Sequence, residues 1–292
     1  MSEPVTEQRT PANADLDLRG TAELVALLND EDATVAAAVR RAAAPLATAI
    51  DGIVERLERG GRLVYVGAGT SGRLAHLDAI ECAPTFGIPA GTVVALVAGG
   101  IEAGEAAEDD SAAGARDVEA LPVGPDDAVV ALSASGHTPY VLAATRAAKR
   151  AGALTVAVVC ADGSELARLA DLEVEVVVGP EVIAGSTRLK AGTAQKLVLN
   201  TISTVSMIRL GRTFGNLMVG VVADNTKLRA RARRAVALAT GAADDEVDSA
   251  LEAAGGEAKV AIVSLLSGID VTSARARLAA AGGVVRKALA PA

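Results

Sequence analysis

The stretch from Leu63 to Gly72 reads LVYVGAGTSG. Its first four residues are apolar and include two valines and a tyrosine, which favour a short buried strand. The glycines and hydroxyl side chains that follow predict a tight turn and then the start of a helix. A strand that passes through such a turn into a helix is the repeating unit of a parallel sheet. The stretch therefore predicts an α/β fold.

Outward from this stretch, short apolar runs alternate with helical patterns. Such an alternation is typical of a doubly wound, mainly parallel sheet with helices on both faces. The predicted strands are Leu63–Val66, Val93–Val97, Ala128–Leu132, Thr155–Val159 and Glu173–Val178. The helices predicted between them lie near Gly72–Glu81, Glu102–Glu119, Pro139–Arg150 and Glu165–Ala170. We therefore expect a five-stranded sheet.

Helices are also predicted before and after the region in which strands and helices alternate. Thr21–Arg59 has the apolar spacing of a helix, with a break and a fresh start at Asn29–Asp32. A long helix is predicted over Leu189–Leu210, with Ser186 or Thr187 as its N-cap. The tail from Gly241 predicts three or four short helices around Ala250/Leu251, Ala261–Leu266 and Ala274–Leu278, with turns at Gly255-Gly256 and Gly282-Gly283.

Composition excludes several classes of function. The net charge is −8 and aromatic residues make up 1% of 292, so the basic patches and stacking rings of nucleic-acid binders are missing. No run approaches the roughly 18 apolar residues of a membrane span, and the polar start is unlike a signal peptide, which predicts a cytoplasmic protein. Two cysteines and two histidines, widely spaced, match no disulfide framework and no metal site.

Two loops at predicted strand ends share one design. Strand 63–66 leads into GAGTSG at 67–72, and strand 128–132 leads into SASGHT at 133–138. Helix N-termini offer free amides to phosphate, and hydroxyl groups add further donors. One such loop is more often only a turn with an N-cap, but two on separate strands favour a phosphate ligand. The predicted phosphate-binding residues are Thr70, Ser71, Ser133, Ser135 and Thr138.

A dinucleotide site is the weaker interpretation of the first loop. It would require an acidic residue at the end of a second strand near Val97, and none is present. Lys190 is a further candidate for an anion contact because it stands at the start of the long predicted helix. The alternative for Lys190 is a place on a solvated helix face.

Two carboxylates are candidates for acid–base chemistry. Glu81 is predicted in the last turn of its helix, where an acidic side chain opposes the helix dipole. Glu108 lies in the acidic run Glu105–Asp110, whose default interpretation is a solvated helix face. A pair of carboxylates suits general acid–base catalysis when their surroundings separate their pKa values.

These residues lie in segments that resemble the N-acetylmuramic acid 6-phosphate etherases. The most specific likeness is in LVYVGAGTSGRLAHLDAIECAPTFG at 63–87 and GSTRLKAGTAQKLVLN at 185–200. It extends to Glu105–Asp110, Ser133–Tyr140, Phe214–Met218 and Asn225–Leu228, and covers nearly the whole chain from Thr6. Ile80 stands where this family usually has serine, and His76 where it usually has a small or aliphatic residue.

The resemblance implies a lyase that needs no cofactor. In such a reaction N-acetylmuramic acid 6-phosphate gives N-acetylglucosamine 6-phosphate and D-lactate, during cell-wall sugar recovery. It implies that Glu81 protonates the departing lactate and that Glu108 is the second catalytic carboxylate. Glu105 is the alternative for that second place, although the Glu-Asp-Asp pattern favours Glu108. A sugar-phosphate isomerase, and a non-catalytic sensor resembling the glucokinase regulatory protein, remain alternatives on the same fold.

The resemblance also implies an organisation into domains and a dimer. We expect N-terminal leader and helices over 1–52, a sugar isomerase-type domain over 53–215, a connecting helix over 216–240, and a helical module similar to ubiquitin-associated domains over 241–292. The site is expected near the interface of a homodimer.

Overall fold

A computed structural model describes residues 5–220 and 226–290. The strands are β1 (Leu63–Gly67), β2 (Val93–Val97), β3 (Ala128–Ser133), β4 (Leu154–Val159), β5 (Leu172–Glu175), β6 (Thr213–Phe214) and β7 (Leu217–Met218). The helices are α1 (Thr21–Ala33), α2 (Val35–Arg41), α3 (Ala43–Glu58), α4 (Gly69–Phe86), α5 (Ser111–Ala120), α6 (Pro139–Arg150), α7 (Glu165–Leu169), α8 (Lys190–Arg209), α9 (Thr226–Thr240), α10 (Asp244–Ala253), α11 (Ala258–Ser267), α12 (Val271–Ala280) and α13 (Val285–Leu289). The described residues form two compact units, one of 5–80 and 91–203 and one of 81–90 and 204–290.

The first unit contains a five-stranded parallel sheet in the order β2-β1-β3-β4-β5. The chain leaves β1 toward β2 on one side and enters β3 on the other, so β1 and β3 flank the point where the strand order reverses. Loops at the carboxyl ends of two such strands diverge and leave a crevice between them. The predicted fold class is confirmed, and the sheet places the two hydroxyl-rich loops side by side.

Helices cover both faces of this sheet because its central strands are apolar on both faces. All residues of β1 and β3 are buried. One face, which includes Val64 and Val129, packs against α5, α6 and α7. On the other face α4 lies over β1, where the Tyr65 hydroxyl donates to Asp78 at 3.0 Å. Strands buried on both faces read as continuous apolar runs, which is why the sequence predicted them.

Strand and helix ends differ from the predictions where capping groups decide them. Helix α4 begins at Gly69 and continues past Glu81 to Phe86, because the Ala68 carbonyl already accepts the Gly72 amide proton at 3.1 Å. Pro84 inside it has no N–H to give to the Ile80 carbonyl, yet the helix runs on for two residues. Strand β5 ends early because its neighbour β4 ends at Val159.

The predicted helix 102–119 is two elements. A 3-10 helix covers Glu105–Asp109, and α5 starts afresh at Ser111 because the Asp110 carboxylate accepts the Ala113 amide proton at 2.8 Å. The break predicted at 29–32 lies instead at Thr34, with a second one at Ala42.

Helix α8 is confirmed over nearly its predicted length, but the predicted N-cap residue was wrong. Neither Ser186 nor Thr187 caps it. The buried carboxylate of Glu181 accepts the first two amide protons, from Lys190 at 3.0 Å and Ala191 at 2.9 Å. Ser186 and Thr187 line a cavity of the first unit instead.

The second unit is helical around a core formed by α9 to α13. The four short helices of the tail and both glycine turns are confirmed, and these glycines adopt the left-handed conformation. The helix predicted over 216–240 is shorter, because Leu217–Met218 pairs with Thr213–Phe214 in a hairpin and α9 begins at Thr226. Asn225, part of one family segment, lies outside the described residues. The predicted domain boundaries remain predictions.

No helix within residues 5–220 and 226–290 is long and apolar enough to cross a membrane. No group of three or more His, Cys, Asp or Glu side chains there is arranged to hold a metal ion.

Candidate functional site

A cavity of about 400 Å³ opens in the first unit at the carboxyl ends of β1 and β3. It lies where the sheet topology predicts a ligand crevice. Its lining consists of Glu7, Ala68, Gly69, Thr70, Ser71, Arg73, Glu105, Glu108, Leu132, Ser133, Ala134, Ser135, Thr138, Gly185, Ser186, Thr187 and Arg188. Most of these residues have polar or charged side chains, so the wall is suited to a polar ligand.

All five hydroxyl residues predicted to bind phosphate line this cavity. In the second loop they also hold the turn together. The hydroxyls of Ser133 and Thr138 are hydrogen-bonded at 2.8 Å, and Ser133 Oγ accepts the Gly136 amide proton at 3.0 Å. Gly136 has φ +70°, which suits glycine in this tight turn. This loop is therefore a tight turn held by its own hydroxyls, and it also lines the cavity.

In the first loop, Ser71 occupies the opening turn of α4. Its Oγ donates to Oε1 of Gln195 on α8 at 2.8 Å, and both side chains are buried. The amides of an opening helical turn have no partner within their own helix, so this end of α4 is suited to an anion. Gln195 was not singled out from the sequence, because its contact to Ser71 spans 124 residues.

Glu108 reaches the cavity from the 3-10 helix and lies against the first loop. An ideal Cβ built on Gly69 would be 2.4 Å from Glu108 Oε1, and Gly69 has φ +50°. Burial raises the pKa of Glu108, and the negative charges of Glu105 and Asp109 raise it further, while the positive charge of Arg73 lowers it. The net result is a pKa above the ordinary value, which makes this carboxylate a stronger base once it is ionised.

Arg73 is a cavity residue that the sequence analysis missed. Its guanidinium donates to the carbonyl oxygens of Ile101 at 3.0 Å and Ala103 at 2.9 Å, which ties down the loop before the 3-10 helix of Glu108. Together with Arg188 it brings positive charge to the cavity wall. Helical spacing from the phosphate loop was the available signal, because Arg73 lies in the turn of α4 that follows Thr70.

Lys190 does not line the cavity. It is 4% exposed, and its ammonium Nζ is paired with Glu31 of α1 at 2.5 Å. A lysine whose charge is compensated inside the protein has little left to offer a ligand, so the anion next to Lys190 is this carboxylate. The cationic side chains among the described residues that line the cavity are those of Arg73 and Arg188.

A third carboxylate comes from the N-terminal segment. Glu7 lines the cavity, and its Oε2 would be 2.9 Å from a Cβ on Gly185. Next to it, the side chain of Thr6 is buried. The polar composition of this segment gave no sign that it reaches a site.

Glu81 and Glu108 fall in different compact units. Glu81 belongs to residues 81–90 of the second unit and its side chain is exposed. The described lining of the cavity includes Glu105 and Glu108 but not Glu81.

Comparison with known domains places the fold in a class. Residues 106–204 match the SIS domain model, and residues 45–149 match the model of the glucokinase regulatory protein N-terminal SIS domain. A phosphoheptose isomerase from Francisella tularensis superposes with a TM-score of 0.53 at 19% identity, over 65% of this chain and 100% of that one. One from Neisseria gonorrhoeae gives 0.51 at 20%, over 64% and 98%. The fold is thus that of the SIS-domain proteins.

Relatives that match nearly the whole chain identify its family within this class. The chain is 60% identical to an N-acetylmuramic acid 6-phosphate etherase of Rubrobacter xylanophilus, over 99% of this chain and 97% of the relative. It is 53% identical to that of Streptomyces coelicolor, over 98% and 94%. The chain belongs to the N-acetylmuramic acid 6-phosphate etherase family. The resemblance stated from the sequence is confirmed.

Proposed function

We propose that this chain is a carbon–oxygen lyase that cleaves the D-lactyl ether of N-acetylmuramic acid 6-phosphate. The products are N-acetylglucosamine 6-phosphate and D-lactate. Full-length relatives bear the name of this etherase, at identities of 60% and 53%. The observation that carries the proposal is the position of Glu108, whose carboxylate lies against Gly69 in a cavity walled by two hydroxyl-rich loops.

The two loops and the arginines anchor the phosphate. Hydroxyls of Thr70, Ser71, Ser133, Ser135 and Thr138, with the amides that open α4, supply hydrogen-bond donors. Arg73 and Arg188 balance the charge. Anchoring one end of an open-chain sugar fixes the distance of its other carbons from Glu108, and such positioning contributes much of the rate.

Glu108 acts as the base in this scheme. Ring opening gives an aldehyde at C1, which acidifies the proton at C2. Glu108 removes that proton, the electron pair forms the C2–C3 double bond, and the C3–O bond to lactate breaks. Glu81 gives its proton to the departing oxygen. Water then adds at C3, with a proton returning to C2. Every step is proton transfer or β-elimination, so the route needs no cofactor.

The two carboxylates meet across a homodimer in this proposal. Ile80, the residue before Glu81, lies eleven positions after Gly69 along α4, roughly 16 Å of helix. Ile80 is 55% exposed, Leu77 on the same helix is 40% exposed, and α1 has apolar side chains but no buried residue. A second copy that covers the exposed Leu77 and Ile80 side chains of α4 would, in this proposal, bring its Glu81 near the cavity of the first.

Mixing two inactive variants tests the shared site. Glu81→Gln and Glu108→Gln, purified separately and allowed to exchange subunits, should regain roughly a quarter of wild-type activity, since half the dimers are mixed and each mixed dimer has one intact site. Two carboxylates from one chain would give no recovery at all. Mixing Glu81→Gln with itself is the control, and size-exclusion chromatography reports the dimer.

D-lactate release tests the activity itself. Purified protein with N-acetylmuramic acid 6-phosphate should release D-lactate and N-acetylglucosamine 6-phosphate in equal amounts. A sugar-phosphate isomerase or a non-catalytic sensor on this fold would release none. We further propose that the protein acts in the cytoplasm, on sugar recovered from the cell wall.

A further inference from the structure

In the side-chain amide of Gln195, the oxygen has a hydrogen-bond partner among the described residues and the nitrogen does not. Its side chain is 1% exposed, and its Oε1 accepts the hydroxyl proton of Ser71 at 2.8 Å. Its Nε2 is fully buried and has no hydrogen-bond partner among the described residues. A buried N–H group without a partner has lost its hydrogen bonds to water and gained none, so this arrangement is unfavourable as it stands.

The same arrangement prevents the Ser71 hydroxyl from donating a hydrogen bond to an anion. A serine hydroxyl has one proton, and here the proton is directed at Gln195. Ser71, which lines the cavity, then has only the lone pairs of its Oγ to offer to a ligand there. A phosphate oxygen accepts hydrogen bonds and donates few, so lone pairs would repel it where the rest of the loop attracts it.

Rotation of the Gln195 amide by 180° removes both conflicts. The oxygen and nitrogen of a glutamine amide are nearly equivalent in shape, so the rotation changes the hydrogen bonds but not the packing. Nε2 then donates to Ser71 Oγ, and the serine proton turns into the cavity. The buried N–H gains a partner, and the carbonyl oxygen that loses one is the less costly group to leave unpaired.

We propose that Gln195 is a positioning residue that makes the Ser71 hydroxyl a donor to the phosphate group of the substrate. The anion and the rotated amide stabilise each other through the one shared hydroxyl. This rests on the proposed function, in which Ser71 binds phosphate, but inorganic phosphate is a sufficient probe. Gln195 touches no substrate atom in this scheme.

Phosphate binding by Gln195 variants tests the proposal. At a pH where the new carboxylate is ionised, Gln195→Glu can only accept from Ser71 and should hold its proton away from the cavity, while Gln195→Met leaves the hydroxyl free to turn. We expect Gln195→Glu to weaken binding of inorganic phosphate by at least tenfold and Gln195→Met by less than about threefold, measured by ³¹P NMR titration. Asn200→Asp adds the same charge at an exposed position of α8 and should leave binding unchanged.

A double-mutant cycle separates the hydroxyl effect from the added charge. In a Ser71→Ala background, Gln195→Glu should lose most of its effect, because no hydroxyl remains to be misdirected. An undiminished effect there, or equal losses in Gln195→Met and Gln195→Glu, would show that Gln195 acts through packing or charge and would overturn the proposal.

The side-chain amide resonances give a test that needs no buried charge. The pair of Gln195 NH₂ signals, identified by their absence in Gln195→Met, should shift when phosphate is added to the wild-type protein and stay in place in Ser71→Ala. Signals unmoved by phosphate in the wild type contradict the rotation.

Turnover distinguishes the two proposals. In the lactate assay Gln195→Glu should raise KM by about tenfold with kcat within about twofold, as expected for lost ground-state binding. If wild-type protein releases no lactate, the proposed function fails, while the phosphate titration still decides on Gln195.

Discussion

The carboxylate of Glu108 occupies the space that a side chain on Gly69 would fill. The distance from Glu108 Oε1 to an ideal Cβ at position 69 is 2.4 Å, well inside van der Waals contact. Glycine is therefore required at position 69 for two reasons. Its φ is +50°, and a side chain there would collide with the Glu108 carboxylate. The absence of a side chain at position 69 thus makes room for the Glu108 carboxylate, the proposed base.

Gly69→Ala should consequently lose activity out of proportion to stability. The new methyl group moves Glu108, and misplacement of a catalytic group by about 1 Å costs on the order of 10²-fold in kcat/KM. The left-handed backbone adds a destabilisation of roughly 1–2 kcal/mol. Lactate release and thermal unfolding measure the two effects.

Gly163→Ala is the matched control for backbone strain. Gly163 has φ +56°, but a Cβ there would have nothing within 4 Å. It should show a similar loss of stability with near-normal activity. Equal activity losses in the two variants would mean that strain, and not the displaced carboxylate, explains Gly69→Ala.

Exchange at C2 should separate the roles of the two carboxylates. Loss of a general acid or base typically costs about 10²–10⁴-fold, so Glu81→Gln and Glu108→Gln should both be crippled while folded. In deuterated water Glu81→Gln should still wash deuterium into C2 of recovered substrate, because its base is intact, whereas Glu108→Gln should not. Proton NMR of C2 reads this out.

Glu105→Gln is the control for that experiment. Glu105 lines the same cavity and is the alternative for the second catalytic place. We expect it to keep most of its lactate release. The reverse result, with Glu105→Gln crippled and Glu108→Gln active, would exchange the two assignments.

The acid side of the pH profile should follow Glu108. A base must be ionised, so kcat/KM falls as pH drops through the pKa of Glu108 in the free enzyme. Burial, Glu105 and Asp109 raise that pKa, which places the midpoint above the ordinary 4.5. Glu105→Gln removes a negative neighbour and should move the midpoint down, while Arg73→Gln removes a positive one and should move it up.

Opposite shifts in these two variants are the informative result. The phosphate of the substrate also titrates, near pH 6, but it does so equally for every variant. A midpoint that stays in place in both variants would assign the acid limb to the substrate.

The phosphate anchor should appear in KM. Ser71→Ala and Ser135→Ala each remove a hydroxyl from the cavity wall and should raise KM by about five- to tenfold with little change in kcat, at roughly 1–1.5 kcal/mol per hydrogen bond. Unphosphorylated N-acetylmuramic acid should be a very poor substrate. Equal turnover with and without the phosphate contradicts the two-loop site.

The parts of the fold encoded locally could be predicted from the sequence. Buried strands such as β1 and β3 are continuous apolar runs followed by loops of small residues, so the strands and their parallel arrangement could be predicted. Helix ends were less predictable because their caps are not always adjacent. Asp110 caps α5 from the next residue, but Glu181 caps α8 from across a loop.

The site was predictable to the same extent. The hydroxyls follow their strands in sequence, and the sheet brings them together. The pairing of Lys190 with Glu31 was not predicted because the two residues lie 159 positions apart, and Gln195 was missed because Ser71 lies 124 positions away. Long-range pairing of polar side chains has no periodicity that a single sequence could display.

The two cysteines are buried, one in each compact unit. Cys160 at the end of β4 belongs to the first, and burial, with a smaller effect of the charge of Glu181, raises the pKa of its thiol to about 12. Cys82 belongs to the second and is 2% exposed. Alkylating reagents attack thiolates that they can reach, so each sulfur reacts only when its surroundings open. Unmodified protein thus contains its own reporters of local unfolding, and their separate labelling rates measure how often each unit opens.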